Sequence, residues 1–310
     1  MHSFYSIKTL LFSLLWLSLS SPFVSAEYRY SLSVCAIFQD EAPYLREWIE
    51  FHRLMGVNHF YLYNHRSKDH YRQVLHPYIQ SGIVELINKP KVANRIQVFN
   101  RLQCKCYNEC LDRARGISKW VAFLDVDEYL YPVKANSLPE ILKGYEAYGG
   151  LYANWRMFGT SHLKKIPSNR LLIEALTSCT SKTFPANRYI KSIVRPEYAL
   201  NFPNPHHPIY KTGYYQVNTD KIPFEGAFLS SQVQTNTLCI NHYWTRDEEF
   251  FYKIKIPRQK KWGGSPNAQQ ILHSVNIETE CTIQRFVPAL KAKLSSQSLQ
   301  PAVPNGTLGT

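Results

Sequence analysis

The chain has 310 residues, of which 45% are apolar and 19% are charged, and its formal net charge is +13. This composition provides enough apolar surface for one large folded unit or two small ones, and it excludes a disordered chain, a collagen and a small disulfide-stapled domain. The positive charge favours anionic partners, among them nucleoside diphosphates, nucleic acids, membrane headgroups and acidic glycans. Because the chain has no long run of Lys and Arg, we expect no nucleic-acid partner.

The first 26 residues have the pattern of an export signal. A positive charge precedes a serine-interrupted apolar stretch over residues 10–19, and small residues follow it. We expect cleavage before Glu27 and export to a secretory route or a periplasm, and a retained membrane anchor over residues 9–24 is the alternative. An exported chain can form disulfides, but seven cysteines are an odd number, so at least one stays free or pairs with another chain.

Strands and helices alternate through the first half of the chain. Apolar stretches predict strands at 30–38, 59–63, 83–87 and 120–124. Apolar residues three and four apart predict helices that begin after Asp40, at Tyr71 and at Gln97. This alternation predicts an α/β, Rossmann-like fold in which a mainly parallel sheet has helices on both faces.

Polar residues follow three of the predicted strands. They are residues 39–41, then Asn64 with Ser67 and Asp69, and then residues 125–128. In an open parallel sheet the carboxyl ends of the strands lie at one edge, where ligands bind. The sequence therefore predicts that these polar residues converge on one ligand site.

Asp125 and Asp127 are the residues of this set that point to a metal. If the strand continues through them, both carboxylates project from the same face, because side chains alternate along a strand. Two such oxygen donors can hold Mg²⁺ or Mn²⁺ and leave coordination positions for phosphate oxygens. The alternative interpretation is an acidic turn exposed to solvent.

Several segments, taken in order, resemble glycosyltransferase family 92, whose members are nucleotide-sugar transferases of GT-A fold. Two of them are KWVAFLDVDEYLYP at 119–132 and INHYWTRDEEFFYK at 240–253; the others are 35–69, 75–86, 103–111, 154–162, 191–197 and 206–208. The chain departs from the family pattern at 39–41, where Lys-Asn-Glu is usual, and at 256–259, where Arg-Gly is more frequent.

The resemblance implies that a sugar, galactose, is transferred with inversion from a UDP-sugar to a glycan hydroxyl, with Mn²⁺ or Mg²⁺ bound. A divalent ion neutralises the charge that develops on the departing UDP, and basic side chains add to this. The residues that the resemblance implies for the donor are Glu41, Asn64 and Asp69 around uracil and ribose, Asp125 facing ribose and metal, and Lys253 and Arg258 as cations. Those implied for the metal are Asp125 and Asp127, with His206 or His242 as a further ligand.

An inverting transfer needs a carboxylate base near the acceptor hydroxyl. Glu174 is expected to be this base because it lies between Asp127 and His206 in the chain, where GT-A enzymes often place it. Glu225 and Asp247 are the rival carboxylates. Trp155 and Phe158 are expected either to stack on the acceptor sugar or to pack in the core.

The resemblance also implies the division of the chain. We expect one GT-A-like unit over residues 27–294, with a nucleotide-binding half at 30–132, an acceptor-side C-terminal half at 133–294 and a loose tail at 295–310. Two other functions remain open at this point. One is a glycan-binding protein without catalysis on a transferase scaffold, and the other is a metal-dependent phosphodiesterase that uses the two aspartates.

Overall fold

The computed structural model describes residues 27–91, 93, 95–226 and 228–298. Within these ranges the strands are β1 (Tyr30–Phe38), β2 (His59–Asn64), β3 (Val84–Asn88), β4 (Ser118–Phe123), β5 (Glu128–Pro132), β6 (Gly150–Met157), β7 (Ser178–Cys179), β8 (Ile190–Val194), β9 (Ala199–Asn201), β10 (Ile209–Tyr210), β11 (Gln216–Val217), β12 (Leu238–His242) and β13 (Glu278–Thr279). The helices are α1 (Ala42–Leu54), α2 (Tyr71–Gln80), α3 (Ile96–Ala114), α4 (Leu138–Leu142), α5 (Leu172–Ala175), α6 (Glu248–Phe250), α7 (Ile256–Lys261), α8 (Ala268–Val275) and α9 (Val287–Ser298), and a π-helical turn (Phe251–Lys255) joins α6 to α7.

One sheet runs through most of these elements, in the order β3-β2-β1-β4-β8-β6-β12-β5, with β11 beside β6. The strands β3, β2, β1 and β4 are parallel to one another. β8 runs antiparallel to β4 and β6, β12 runs parallel to β6, and β5 runs antiparallel to β12. The predicted α/β fold with a mainly parallel sheet is confirmed.

Helices cover both faces of this sheet. Alternate residues of β1 face opposite sides, so Leu32 and Val34 pack in one core with α1 and α2, whereas Cys35 and Ile37 pack in a second core with α3. Continuous burial along β1 therefore follows from coverage on both sides, as expected for a central strand.

The strand that leads to the two aspartates ends sooner than the sequence predicts. β4 stops at Phe123, one residue before the predicted end, so the condition that the strand continues through Asp127 is not met. The chain turns instead, because the Glu128 amide donates to the Asp125 carbonyl and the Glu128 carboxylate accepts from the Asp125 amide. Glu128 then opens β5, which runs in the opposite direction beside β12.

The ends of the chain qualify the predicted division. The expected signal at 1–26 and the end of the tail at 299–310 lie outside the described residues. Residues 295–298, which the prediction assigns to the tail, belong to α9. Pairing of β4 with β8 and of β5 with β12 joins the two predicted halves in one sheet. Within the described ranges no helix combines the length and apolarity that a bilayer crossing requires.

Candidate active site

A cleft of about 770 Å³ lies at one edge of the sheet. The carboxyl ends of β4, β6 and β12 meet there, together with the amino ends of β5 and β8, which run in the opposite direction. The turn of residues 125–127 lies in this cleft. The topology therefore brings a strand-end acidic turn, the start of β8 and the end of β12 to one place.

Asp125 is held by two partners from different elements. One carboxylate oxygen accepts from Gln103 Nε2 at 2.6 Å, and the other accepts from Lys191 Nζ at 2.8 Å. The Lys191 side chain is only 1% exposed, and its Nζ also lies 3.6 Å from the Glu128 carboxylate. Burial opposes the charge on Lys191, but Asp125 and Glu128 raise its pKa overall. Burial raises the pKa of Glu128 well above its usual range, although Lys191 opposes this, so Glu128 tends to keep its proton.

Asp127 has its own pair of partners. Its Oδ2 accepts from Lys255 Nζ at 2.7 Å, and its Oδ1 lies 3.4 Å from His242 Nε2. Burial alone would raise the pKa of Asp127, but Lys255 and His242 hold it well below its usual range. Asp127 is therefore an ionised carboxylate whose side chain is almost fully buried, with a cation on one oxygen and an imidazole near the other.

The wall opposite the two aspartates is helical and basic. Phe251, Lys255 and Arg258 follow one another at intervals of four and three residues, the spacing of one helix face, and the last two line the cleft. Phe251 is fully buried and anchors this face. The turn is π-helical, since the Ile256 amide donates to the Phe251 carbonyl five residues earlier. Such turns are frequent at functional sites.

A buried ion pair joins Glu41, which lines the cleft, to Arg246. Glu41 accepts from Arg246 Nη2 at 2.6 Å, and the Arg246 guanidinium lies 3.5 Å from the centre of the Tyr44 ring. Burial raises the pKa of Glu41 while Arg246 opposes the rise. Arg246 is fully buried and has a positive φ of 52°. The pair fixes the loop after β12 to the start of α1.

Aromatic rings supply the rest of the lining. Trp155 lies between two imidazoles, with ring centres 5.5 Å from His206 and 4.3 Å from His242. Burial lowers the pKa of His206 to about 4, so this imidazole is neutral at pH 7. Phe99 and Trp262 stack at 5.7 Å on the opposite side. Planar apolar surfaces beside fixed charges suit a ligand that carries both rings and anionic groups.

Comparison with known proteins identifies the family. The model of the family described as "Glycosyltransferase family 92" matches residues 28–285. The chain belongs to glycosyltransferase family 92. Together with the observed sheet order, membership of this family confirms the predicted GT-A-like fold class.

Two relatives and one solved structure illustrate the similarity of this family 92 chain. A glycosyltransferase family 92 protein of Ricinus communis is 28% identical over 258 residues, which cover 79% of this chain and 42% of the relative. A galactan β-1,4-galactosyltransferase of Arabidopsis thaliana is 29% identical over 126 residues, 39% of this chain and 24% of the relative. The crystal structure of S. aureus TarS 1-349 in complex with UDP-GlcNAc superimposes with a TM-score of 0.37 at 13% identity, covering 87% of this chain and 76% of TarS. The chain thus spans less than half the length of these two relatives.

Six of the residues predicted for the site line the cleft of this family 92 chain. They are Glu41, Asp125, Asp127, His206, His242 and Arg258. Trp155 also lines it, whereas Phe158 is fully buried in the core. The structure brings these side chains together, and the individual roles assigned to them stay predictions.

Three residues predicted to bind the donor do not line the cleft. Asn64 donates to the Tyr71 hydroxyl and to Asn88, and the Asp69 carboxylate accepts from the Ala42 amide at the first turn of α1. Both residues hold the loop after β2 in place rather than face the cleft. Lys253 is 71% exposed and pairs with Glu249, because it lies two positions from Phe251 and so on the outer side of the helical turn.

Glu174 is also outside the cleft, so the geometry does not support its predicted role as the base. Its carboxylate lies 2.7 Å from Lys291 Nζ and also accepts from the Leu171 amide at the start of α5. The hydrogen bond from Lys291 lowers the pKa of Glu174. The geometry does not support the two rival carboxylates as the base either. Glu225 is exposed, and both carboxylate oxygens of Asp247 accept hydrogen bonds from backbone amides.

Sequence reasoning missed the cations that contact the aspartates. Lys255 could have been found from the spacing of four residues after Phe251, which places it on the inner face of the helical turn. Lys191 is the second residue of an apolar strand, and a charged residue there is a weaker signal of a buried partner. Gln103 lies on the same face of α3 as Tyr107, to which it also donates.

The donor set permits a test of the implied metal. Oδ1 of Asp127 and Nε2 of His242 are 3.4 Å apart, near the separation of roughly 3 Å between neighbouring ligands of an octahedral Mg²⁺. Within the described ranges, no group of three or more His, Cys, Asp or Glu side chains could hold a metal. Asp125 and His206 are therefore not grouped with these two ligands. Asp127 and His242 fit an ion that takes its other ligands from phosphate and water, as Mg²⁺ commonly does.

Proposed function

We propose that this chain transfers galactose from UDP-galactose to a hydroxyl of a glycan, with inversion at the anomeric carbon and with Mn²⁺ or Mg²⁺ held by Asp127 and His242. One observation carries the proposal. The turn of residues 125–127 lies at the carboxyl edge of the sheet in a deep cleft of a family 92 chain, with cationic side chains around it. An acidic turn next to cations suits a diphosphate together with a divalent ion.

The electrostatics of the cleft support a nucleotide diphosphate as the donor. Lys191, Lys255 and Arg258 line the cleft beside the aspartates and supply positive charge that does not depend on a metal. A bound divalent ion would neutralise further charge on the departing UDP. Ring faces such as those of Trp155 and Trp262 offer stacking surfaces for a nucleobase or a sugar.

The names of relatives support the sugar and the stereochemistry. The Arabidopsis relative is named a galactan β-1,4-galactosyltransferase. UDP-galactose carries an α-linked sugar, so a β-linked product requires inversion. In that step the acceptor oxygen forms a bond to the anomeric carbon while the bond to the diphosphate oxygen breaks. UDP leaves with the electron pair of that bond, and the hydroxyl proton passes to a base.

A donor and acceptor screen tests the proposal. The protein is incubated with UDP-galactose, UDP-glucose or UDP-GlcNAc and with β-1,4-galactan oligosaccharides or a glycan array, in Mn²⁺, Mg²⁺ or EDTA. We expect UDP release and acceptor elongation with UDP-galactose, and a β-linkage in the NMR spectrum of the product. Asp127→Asn should reduce transfer at least about 100-fold, since it removes a charged ligand of the ion, whereas Asp112→Asn, whose side chain is 72% exposed, should not.

The same screen separates the alternatives. Glycan binding without turnover of any UDP-sugar would favour a non-catalytic glycan-binding protein. Hydrolysis of bis-p-nitrophenyl phosphate in place of sugar transfer would favour a phosphodiesterase. Export also remains a proposal, and N-terminal sequencing of the secreted protein should find Glu27 as the first residue.

A further inference from the structure

Lys255 occupies a position that a surface lysine would not take. Its side chain is 9% exposed, and its Nζ lies 2.7 Å from Oδ2 of Asp127. The rings of Trp244 and Phe250 lie 5.5 and 5.8 Å from the ammonium. A lysine enclosed by aromatic rings and bound to a single carboxylate has lost most of its hydration, so an anion that enters the cleft is a strong alternative partner.

The carboxylate that Lys255 contacts is the one with an imidazole near its other oxygen. Asp127 thus has Lys255 at Oδ2 and His242 at 3.4 Å from Oδ1. A divalent cation that joins Asp127 and His242 would lie close to the ammonium, and two cations on one carboxylate repel each other. Lys255 and a metal therefore compete for Asp127 when no other anion is present.

A diphosphate would remove this competition. It carries enough negative charge to bind the metal and the ammonium at once, so Lys255 can leave Asp127 for a phosphate oxygen while the metal stays on the carboxylate. The residue is well placed for the exchange, because it lies in a π-helical turn that lines the cleft next to Arg258. Lysine has a long stem with several rotatable bonds, so its ammonium can change partner without a backbone movement.

We propose that Lys255 exchanges between Asp127 in the empty site and the diphosphate of the bound donor, and that it thereby couples metal binding to donor binding. This inference rests on the proposed function, because it needs a nucleoside diphosphate and a divalent ion as ligands. It assigns Lys255 two effects of opposite sign. The residue weakens the binding of a metal on its own and strengthens the binding of UDP on its own.

Opposite signs make the test specific, because a variant that merely damages the fold weakens both ligands. The variant is Lys255→Met, which keeps the length of the side chain and removes the charge. Lys255→Arg keeps the charge. Lys253→Met is the matched control, since it removes a lysine from the same turn but from its outer side, where the side chain is 71% exposed.

Two titrations are made with the full chain. The first measures UDP binding by calorimetry in EDTA, and the second measures Mn²⁺ binding without nucleotide from the electron paramagnetic resonance of free Mn²⁺. We expect Lys255→Met to bind UDP about 10- to 100-fold more weakly, the usual effect of losing one charge-assisted hydrogen bond, and to bind Mn²⁺ more tightly by about 10-fold. Lys255→Arg should bind UDP within a few-fold of wild type, and Lys253→Met should match wild type in both titrations.

The outcomes separate this inference from the proposed function. If Lys255→Met binds UDP as tightly as wild type, or binds Mn²⁺ no more tightly, the exchange is overturned. If wild type binds UDP only when Mn²⁺ is present, the exchange is also overturned while the proposed function stands. If wild type binds UDP neither in EDTA nor in Mn²⁺, both fail. Thermal unfolding of each variant, measured alongside, shows whether Lys255→Met is folded; if it is not, Lys255→Gln, which also removes the charge, takes its place in both titrations.

Discussion

Replacement of Lys191 by methionine tests whether the acidic turn depends on its buried lysine. The Lys191 ammonium lies 2.8 Å from Asp125 and 3.6 Å from Glu128, and its side chain is 1% exposed. Lys191→Met removes this cation but keeps most of the apolar stem. Two carboxyl groups are then left next to each other without a positive partner, so we expect the free energy of unfolding to fall.

The size of the loss follows from the burial of the three groups. Removing one partner of a fully buried ion pair costs about 3–5 kcal/mol. The Asp125 side chain is 32% exposed and keeps its hydrogen bond from Gln103, and Glu128 can take a proton because burial raises its pKa. Both facts reduce the cost to the lower end of the range. We expect about 3 kcal/mol at pH 7, or a fall in melting temperature of about 6–12 °C for a domain of this size.

Urea unfolding followed by circular dichroism at pH 7 measures this loss. The matched control is Lys119→Met, which breaks a pair with Glu146 at 2.7 Å in which the two side chains are 30% and 45% exposed. Exposed pairs contribute about 1 kcal/mol or less, so the control should change little. Equal and small losses in both variants would refute the argument, because they would show that Lys191 is not desolvated.

Three further predictions concern other parts of the chain. Burial raises the pKa of Glu47 to about 7, so between about pH 4.5 and 7 the folded chain binds a proton that the unfolded chain lacks. Over this range the free energy of unfolding therefore falls by about 3 kcal/mol as the pH rises. Glu47→Gln should flatten that fall in urea unfolding from pH 5 to 8, and parallel curves would contradict it. Glu174→Gln should transfer sugar at the wild-type rate in the galactosyl assay, and a tenfold decrease would restore this residue as the base. Gly159→Ala should lower the free energy of unfolding by about 1–3 kcal/mol, because its Cβ would clash with the Val275 carbonyl oxygen; Gly144→Ala, which meets nothing within 4 Å, is the control.

Local sequence patterns predicted the first half of the fold well. The strand at Tyr30–Phe38 has the predicted bounds and the helix at Tyr71–Gln80 begins where predicted, because a long apolar stretch and an apolar residue at every third or fourth position act over short distances. The turn that follows β4 was not predictable in this way. It depends on the Glu128 carboxylate, which accepts the Asp125 amide and closes the turn.

Only part of the site could be predicted, for a related reason. The acidic turn could be placed because it follows an apolar strand whose carboxyl end lies at the ligand edge, whereas His242 was implied by the family resemblance. The lysines could not, because each pairs with its aspartate across a long separation, 66 residues for Lys191 and 128 for Lys255. The prediction of Glu174 rested on its order in the chain, and order does not give distance in space.

The two predicted halves of the chain contribute different charged groups to the cleft. The carboxylates of the acidic turn come from the first half, residues 30–132, but their charged and imidazole partners come from the second half. Lys191 lies in β8, His242 ends β12 and Lys255 lies before α7. The first half alone would present two carboxylates to a diphosphate, which repel it. The proposed donor binding therefore requires both halves, which the continuous sheet joins.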